Sequence, residues 1–375
     1  MTRTKFIPLM VPDIQQQDID AVVEVLQTGM FIQGSKVEEL EKNLARYLGV
    51  KHAIAASSGT ATLHLALVAF GIGKGDEVIV PAFSYMATAN VVELVGAKPV
   101  FVDIDINTFN ISTNLIERAI TDHTKAIMPV HEFGLACDTL EICKLAEKYQ
   151  IKVIEDAACA LGASDTGKFT GTSGDVGSFS FHPRKAVTSG EGGMLVTDND
   201  ELARKLRILG NHGIEIQNGK MEFVEAGFNY RMTEFQAALV NSQFQRFETI
   251  LEDKIRLADI YFDCLKHLKK IRLPEVPENK RHTWQSYHIV LDDRIDRDDL
   301  IASLAKKGIG TNYGAQCMPY QKYFQEKYKL PCETMFPNAL RAYRQGLVLP
   351  LYGKLDETDI RFISDSIKTL LEWEI

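Results

Sequence analysis

The strongest constraint on the fold of this chain is a regular alternation of short apolar segments with amphipathic segments over residues 52–209. The apolar segments have the length of buried strands, and apolar residues in the segments between them recur at helical spacing. Strands and helices that alternate in this way predict a largely parallel sheet covered by helices on both faces. The predicted strands are 52–56, 77–80, 99–104, 126–130, 153–156 and 192–197, and the predicted helices are 61–70, 87–94, 115–120, 140–149 and 200–209.

The remainder of the chain predicts a second, smaller unit. The 375 residues exceed what one hydrophobic core usually organises. Residues 233–268 carry a long helical pattern without proline or glycine. We place the boundary within this pattern and predict a large α/β domain at 1–250 and a small α+β domain at 251–375. The elements predicted beyond it are an extended segment at 284–291 and helices at 297–307 and 359–371.

A helix is also predicted before the alternating region. Ser35 and Glu38 have the spacing of a capping box, in which the first side chain caps the helix. The apolar residues that follow at helical spacing, up to Gly49, are Val37, Leu40, Leu44 and Leu48. The sequence therefore predicts that Ser35 is the N-cap of this helix.

The composition excludes several classes of partner. The chain has 42 Lys and Arg against 50 Asp and Glu, a net charge of −8, and no dense basic run that would bind nucleic acid. The six cysteines form no Cys-x-x-Cys pair and the nine histidines form no short-spaced set, so we predict no metal site. No apolar segment has the length of a signal peptide or of a membrane span. We therefore expect a cytoplasmic protein that binds neither nucleic acid nor membranes.

Two motifs of nucleotide-binding folds are incomplete in this chain. Residues 162–168 carry both glycines and the lysine of a P-loop, but Phe169 stands where Ser or Thr would hold Mg²⁺. Turn-forming residues follow instead of a helix, which predicts a surface hairpin with glycine at its bend. The fragments at 71–73 and 308–310 lack the third glycine of a dinucleotide fingerprint, so a nicotinamide dehydrogenase is disfavoured.

Four segments follow predicted strands and would meet at one edge of the sheet, where open α/β sheets bind ligands. In the first, 57–61, small residues lead into a helix that begins near Thr60, and its free N–H groups would bind a phosphate. The second, 81–85, places Phe83 and Tyr85 just after a strand. Both rings could belong to the core, or one could be the platform for a flat, stacked cofactor.

The third and fourth segments supply a carboxylate and an amine. Asp156 ends an apolar strand, where an unpaired carboxylate is costly to bury, so it is either a helix N-cap or the partner of a buried cation. Lys185 lies between a Ser-rich strand and the Gly-rich turn 190–193. A lone lysine is by default a surface residue, but these flanks indicate backbone packed closely around a ligand. Together the four segments contain the parts of a pyridoxal phosphate (PLP) site: a lysine for a Schiff base, an acid for the ring nitrogen, a phosphate site and a stacking ring.

With these residues the chain resembles the DegT/DnrJ family of PLP-dependent nucleotide-sugar aminotransferases. The most specific part of the resemblance is the run 178–185 followed by 190–193. The resemblance implies the fold of the aspartate aminotransferase class (fold type I), with a mixed, mostly parallel sheet in an α/β domain and a smaller C-terminal α+β domain. The matching segments are 29–34, 59–67, 155–158, 178–185, 190–193, 227–232 and 347–351.

The resemblance also implies roles for individual residues. Lys185 would form the Schiff base with PLP and shuttle protons, and Asp156 would pair with the pyridine nitrogen, so both would be catalytic. Tyr85 would stack on the cofactor ring. Because such enzymes are homodimers with shared active sites, Asn229 would reach the phosphate of the cofactor in the partner subunit. The residues expected to hold the phosphate within the same subunit are Gly59, Thr60 and Ser180.

One position departs from the pattern of the family. Many members carry Gln or His three residues after the aspartate, where the side chain bonds the ring oxygen of the cofactor, but this chain has Cys159. A thiol is a weak donor. Either the ring oxygen is held differently or the Schiff base titrates at a different pH. Cys159 is still expected to contact the cofactor, and the alternative is a small buried side chain without a role.

These expectations combine into a function. The chain is expected to move an amino group from L-glutamate to a keto group of a nucleotide-linked deoxysugar, in polysaccharide biosynthesis. Substrate contacts are expected from the segments 11–33, 211–224 and 313–320. Two alternatives stay open: a PLP-dependent sugar dehydratase, whose family relatives carry histidine in place of the lysine, and a non-catalytic regulatory protein of the same fold. The presence of Lys185 and Asp156 favours the aminotransferase.

Overall fold

The computed structural model describes residues 6–372. The predicted alternation is present, and each element predicted in 52–209 lies within a few residues of its expected bounds. The helices α1 to α14 span Gln16–Thr28, Ser35–Leu48, Gly59–Ala69, Ala87–Leu94, Thr113–Ala119, Thr139–Tyr149, Asp200–Gly210, Glu234–Phe244, Phe247–Leu265, Arg297–Lys306, Lys322–Tyr328, Cys332–Met335, Pro337–Arg344 and Glu357–Glu372. The strands β1 to β17 span His52–Ala56, Glu77–Pro81, Phe83–Ser84, Lys98–Val102, Thr124–Ile127, Lys152–Asp156, Ser164–Asp165, Lys168–Phe169, Val176–Ser180, Gly193–Thr197, Ile214–Gln217, Lys220–Phe223, Ile271–Arg272, Lys280–Arg281, Tyr287–Leu291, Gln316–Cys317 and Gly346–Leu349. Among the described helices, none is both long and apolar enough to cross a membrane.

The central sheet has seven strands in the order β1-β10-β9-β6-β5-β2-β4. The pairings from β9 through β6, β5 and β2 to β4 are parallel, whereas β10 runs antiparallel to both β9 and β1. The mixed, mostly parallel sheet of the predicted fold class is therefore confirmed. Because β10 reverses direction, β1 runs the same way as β9, and the carboxyl ends of β1, β2, β6 and β9 lie at one edge of the sheet. The four segments that the sequence singled out follow these four strands.

The segment that imitates a P-loop is the hairpin of β7 and β8, as predicted. Its two short strands pair antiparallel, and Thr166 and Gly167 at the bend have φ angles of 51° and 81°. No helix follows the lysine, because Lys168 is itself part of β8.

The predicted capping box of α2 is wrong. Ser35 is the first residue of the helix and not its cap, and its side chain makes no capping hydrogen bond. Glu234, on α8, supplies the cap instead: its carboxylate accepts hydrogen bonds from the backbone N–H groups of Gly34 (2.7 Å), Lys36 (2.9 Å) and Val37 (3.0 Å). These donors are among the N–H groups that a helix leaves unpaired at its start. The cap is thus distant in sequence, and the local pattern could not reveal it.

The long helical pattern of residues 233–268 contains a break. Helix α8 ends at Phe244 and α9 begins at Phe247, and Arg246 between them leaves the helical conformation with φ −116° and ψ 19°. The guanidinium of Arg246 donates to the carboxylates of Asp13 (3.0 Å) and Asp18 (2.6 Å) in the N-terminal segment. These ion pairs hold the turn between the two helices, although neither proline nor glycine marks it.

The two halves of α9 pack in different hydrophobic clusters. Its first turns, with Phe247 and Leu251, pack in a cluster with α2 and one face of the central sheet. Its later part, from Leu257 to Leu265, packs with α14, α10 and the antiparallel sheet β13-β15-β17. Ile7 also packs in this second cluster. The division into domains at 1–250 and 251–375 stays a prediction, and the change of cluster within α9 supports it.

Candidate active site

A cavity of about 350 Å³ opens at the edge where the four strands end. Seven of the eight residues predicted for the site line it, whereas Asn229 does not. The seven are Gly59, Thr60, Tyr85, Asp156, Cys159, Ser180 and Lys185.

The first wall of the cavity is the start of α3. The Ser58 hydroxyl accepts a hydrogen bond from the N–H of Ala61 (3.1 Å), which caps the helix. The N–H groups of Gly59 and Thr60 belong to the first turn and have no acceptor within the helix. A Cβ atom on Gly59 would lie 2.8 Å from the Cβ of Ser180, so only glycine lets α3 approach β9 this closely. The arrangement presents free N–H groups, the positive end of a helix dipole and a hydroxyl to an anion.

The second wall carries Asp156, the last residue of β6. Its side chain is buried, and it accepts hydrogen bonds from the Thr88 hydroxyl (2.9 Å) and the Ala158 N–H (3.2 Å). Burial raises the pKa of Asp156 above its ordinary value, although these donors and the charge of Lys185 act in the opposite direction. A cation placed against the free lone pairs would favour the ionised carboxylate. Asp156 therefore fits the partner of a protonated ring nitrogen.

The neighbouring residue Glu155 fixes this strand from its opposite face. Its buried carboxylate contacts Nε2 of His131 (2.9 Å) and accepts hydrogen bonds from the N–H groups of Gly171 (2.8 Å) and Gly174 (2.6 Å). Burial alone would raise the pKa of Glu155, but these partners hold it below its usual range. Because successive side chains of a strand point to opposite faces, the fully bonded Glu155 orients Asp156 toward the cavity.

Lys185 lies in the turn that follows β9, where its N–H donates to the carbonyl of His182 (2.9 Å). The Nζ atom of Lys185 donates to Sγ of Cys159 at 3.0 Å. Burial raises the pKa of the Cys159 thiol, so the sulfur accepts this bond as a neutral group. Cys159 thus contacts the amine of Lys185, and its contact with the cofactor stays a prediction.

The two remaining predicted residues lie at the surface. The ring of Tyr85 borders the cavity and is 69% exposed, so a flat ligand in the cavity could stack on it. Asn229 is exposed outside the cavity, where its Oδ1 accepts a hydrogen bond from Nε of Arg231 (3.0 Å). The role of Asn229 in a shared active site requires a second subunit and stays a prediction.

The sequence reading missed Glu132. This residue follows the strand β5, is buried, and lines the cavity together with Asp156 and Lys185. Burial and the nearby charge of Asp156 raise the pKa of Glu132 to about 8. Asp156 was identified as a carboxylate that ends an apolar strand, whereas Glu132 lies five residues beyond the end of β5, so the same signal is weaker there.

Thr88 and Arg184 were also missed. Thr88 holds the carboxylate of Asp156 and looks like an ordinary member of the helix α4 in the sequence. Arg184 precedes Lys185 and lines the cavity.

These groups together fit PLP. The free end of α3 suits its phosphate, the buried acid Asp156 suits its ring nitrogen, and the amine of Lys185 suits its aldehyde.

Comparisons with known proteins identify the family of this chain. The DegT/DnrJ/EryC1/StrS aminotransferase family matches residues 12–368. The chain is 38% identical to an uncharacterized protein of Methanocaldococcus jannaschii over 99% of both chains. It is 35% identical to the spore coat polysaccharide biosynthesis protein SpsC of Bacillus subtilis, over 99% of this chain and 98% of SpsC.

A solved structure extends the comparison to the fold and the cofactor. Spr1654 of Streptococcus pneumoniae, assigned as a sugar aminotransferase, is 30% identical and superimposes with a TM-score of 0.93 over 98% of both chains in its PMP-form. Its PLP-form gives the same TM-score over 99% of this chain and 100% of that chain. The predicted aminotransferase fold and the PLP cofactor are thereby confirmed. The chain is a sugar aminotransferase and belongs to the DegT/DnrJ/EryC1/StrS aminotransferase family.

Proposed function

We propose that this protein transfers the amino group of L-glutamate to a keto group of a nucleotide-linked deoxysugar, with Lys185 and Asp156 as its catalytic residues. One observation carries the proposal. A buried acid, a half-buried lysine and the free end of a helix face a single cavity from three different elements of the sheet edge.

Each of these groups has a distinct task. When bound, PLP supplies an electron sink for the carbon from which a proton is removed. The Nζ atom of Lys185 would move the proton from that carbon of the donor to the aldehyde carbon of the cofactor, and in the second half it would move a proton from there to the keto carbon of the sugar. The carboxylate of Asp156 keeps a proton on the ring nitrogen. Gly59, Thr60 and Ser180 bind the phosphate, and Tyr85 covers the ring and excludes water.

Arg184 supports an amino donor that carries a carboxylate. Arg184 lines the cavity one residue before Lys185. Arginine binds carboxylates through two parallel hydrogen bonds, which orients the bound acid as well as holding it. L-Glutamate has such a carboxylate next to its amino group.

The sugar acceptor is supported by the surroundings of the cavity and by the relatives. Gly314 and Ala315, from the predicted substrate segment 313–320, line the cavity because β16 pairs with β3. The relative SpsC is named for spore coat polysaccharide biosynthesis, which supports a sugar as the acceptor. The other two predicted substrate segments, 11–33 and 211–224, form α1 and an exposed hairpin outside this cavity.

The proposed reaction can be tested by spectroscopy. PLP added to the purified protein should give the absorption band of lysine-linked cofactor, and L-glutamate should abolish this band until a keto sugar nucleotide is added. Lys185→Ala should lack the band and all turnover, whereas Lys168→Ala, an exposed lysine of the β7–β8 hairpin, should behave like the wild type. Full turnover by Lys185→Ala would refute the proposal.

A further inference from the structure

The turn after β5 holds Glu132 in a fixed position. The N–H of Glu132 donates to Oδ1 of Asn110 (2.9 Å), and the next two carbonyls, of Phe133 and Gly134, accept from the N–H groups of Gln285 (2.8 Å) and Thr283 (3.0 Å). Phe133 has a φ of 53°, a left-handed conformation that is rare for an aromatic residue. Strain of this kind persists only where the surroundings impose it, and it concentrates at functional sites.

The carboxyl group of Glu132 is incompletely bonded. The side chain is 4% exposed and lines the cavity, yet its Oε2 atom has no hydrogen-bond partner among residues 6–372. Buried polar atoms in native structures are almost always paired, so an unpaired one calls for an explanation. Because Glu132 lines a ligand cavity, a ligand bound there is the candidate partner for this oxygen.

The charged groups around Glu132 decide whether it donates or accepts. Asp156 faces it from β6, Lys185 from the turn after β9 and the Ser84 hydroxyl from β3. Burial and the negative charge of Asp156 outweigh the positive charge of Lys185 and raise the pKa of Glu132 to about 8. At neutral pH Glu132 is therefore mostly a carboxylic acid, which can donate one hydrogen bond.

The connectivity of PLP indicates which ligand atom this donor meets. The ring oxygen is attached next to the carbon that bears the aldehyde, on the edge of the ring away from the phosphate arm. Glu132 lies near the amine of Lys185 and the acid of Asp156 and does not belong to the end of α3, where the phosphate would bind. It therefore faces the edge of the ring that carries the ring oxygen. Cys159 lies on the same side, because its sulfur contacts the Lys185 amine.

We propose that Glu132, as a neutral carboxylic acid, donates a hydrogen bond to the ring oxygen of PLP and does the work of the Gln or His that relatives carry at the position of Cys159. The inference rests on the proposed attachment of PLP to Lys185. Glu132 then compensates for Cys159. The thiol is a weak donor to the ring oxygen, and the carboxylic acid of Glu132 donates to that oxygen from the neighbouring strand.

The test is a pH titration of the absorption band of the bound cofactor in the holoenzyme. Glu132→Leu removes the donor, which leaves more negative charge on the ring oxygen and stabilises the proton on the nitrogen of Lys185. The midpoint of the titration should rise by about one pH unit, and the PLP dissociation constant should rise about tenfold. Glu132→Gln keeps a neutral donor and should leave the midpoint near that of the wild type.

A double variant makes the test specific. Glu132→Leu with Cys159→Gln restores a donor at the position used by relatives, and its midpoint should return to within about 0.3 pH unit of the wild type. Glu132→Met replaces Glu132→Leu if the latter does not fold. An unchanged midpoint in the apolar variant, or an equal shift in Glu132→Gln, would overturn the proposal. Absence of any lysine-linked band in the wild type would instead refute the proposed function.

Discussion

Asp156 and Glu132 are two buried carboxyl groups that share one cavity but have different partners. Asp156 accepts hydrogen bonds from Thr88 and Ala158, whereas one oxygen of Glu132 has no partner within residues 6–372. Hydrogen bonds to an ionised carboxylate favour the ionised form, whereas burial and a nearby negative charge favour the neutral acid, and at Glu132 the latter two outweigh its hydrogen bonds. The two residues are therefore suited to opposite tasks, one as an anion beside a cation and the other as a donor.

Thr88→Val should weaken PLP binding, because it removes the hydroxyl that bonds Asp156 without changing the shape of the side chain. Loss of a hydrogen bond to a charged group costs about 1.5 kcal/mol, which corresponds to about a tenfold rise in the dissociation constant. Equilibrium titration with PLP measures the change. Thr88→Ser keeps the hydroxyl and should bind PLP like the wild type, so equal affinity of all three proteins would contradict the assigned role.

Glu132 also predicts how the stability of the cofactor-free protein depends on pH. Its folded-state pKa of about 8 lies above the ordinary value of 4.5, so the folded state binds more protons than the unfolded state between these values. The free energy of unfolding should therefore fall as the pH rises from about 4.5 to about 8. In Glu132→Gln this fall should be smaller. Urea unfolding at pH 6 and pH 8 measures this fall. An equal change in the free energy of unfolding between these pH values in both proteins would contradict the expectation.

The sequence revealed Asp156 and Lys185 at the ends of strands, but it missed Thr88, which comes from a helix, and Glu132 and Arg184, although both follow strands. Asp156 and Lys185 stand out because polar residues after apolar strands need a partner or a ligand. Thr88 reaches Asp156 from 68 positions away in the chain, and nothing in the helix α4 indicates this contact. The turn that holds Glu132 contains Phe133 at φ 53°, a conformation that its residue type does not favour.

At the scale of elements, helix α2 shows how tertiary contacts replace a local signal. The sequence predicts its bounds well, because its apolar residues recur at helical spacing and Gly49 ends it with φ 72°. Its cap comes from Glu234 on α8, which packs against α2. The same applies to the break between α8 and α9, which depends on Arg246 and two distant aspartates. Periodicity thus predicts where elements lie, whereas long-range ion pairs and caps decide how they begin and turn.

Glu234→Ala should therefore destabilise the protein more than loss of an ordinary surface charge. It leaves three N–H groups at the start of α2 without their acceptor, which should lower the free energy of unfolding by about 2–3 kcal/mol. Ser35→Ala, the matched control at the position that the sequence favoured, should change it by less than about 0.5 kcal/mol. Urea midpoints of the two variants compare them directly. A larger loss of stability in Ser35→Ala than in Glu234→Ala would show that Ser35 caps α2 through the local capping box.

At the scale of the whole molecule, an exposed apolar face supports a second subunit. The hairpin of β11 and β12 places Ile214 opposite Phe223 and Ile216 opposite Met221, which puts four apolar side chains on one face. Ile216, Met221 and Phe223 are exposed. A two-stranded hairpin is marginally stable by itself, and exposed apolar surface of this kind is typical of an interface between proteins. This face belongs to the same region of the chain as Asn229.

Mixing two inactive variants tests the shared active site of the proposed homodimer. Lys185→Ala removes the amine, and Asn229→Asp sets a negative charge against the phosphate in the partner subunit. The homodimer of either variant should therefore be inactive. A mixed dimer contains one site with both native residues. Random exchange of subunits should therefore restore about a quarter of the wild-type activity per site. Activity should return when the two variants are unfolded and refolded together, and it should not return when each is refolded separately. If each site were built from one subunit, the mixture would stay inactive, and Asn229 would lose its proposed role.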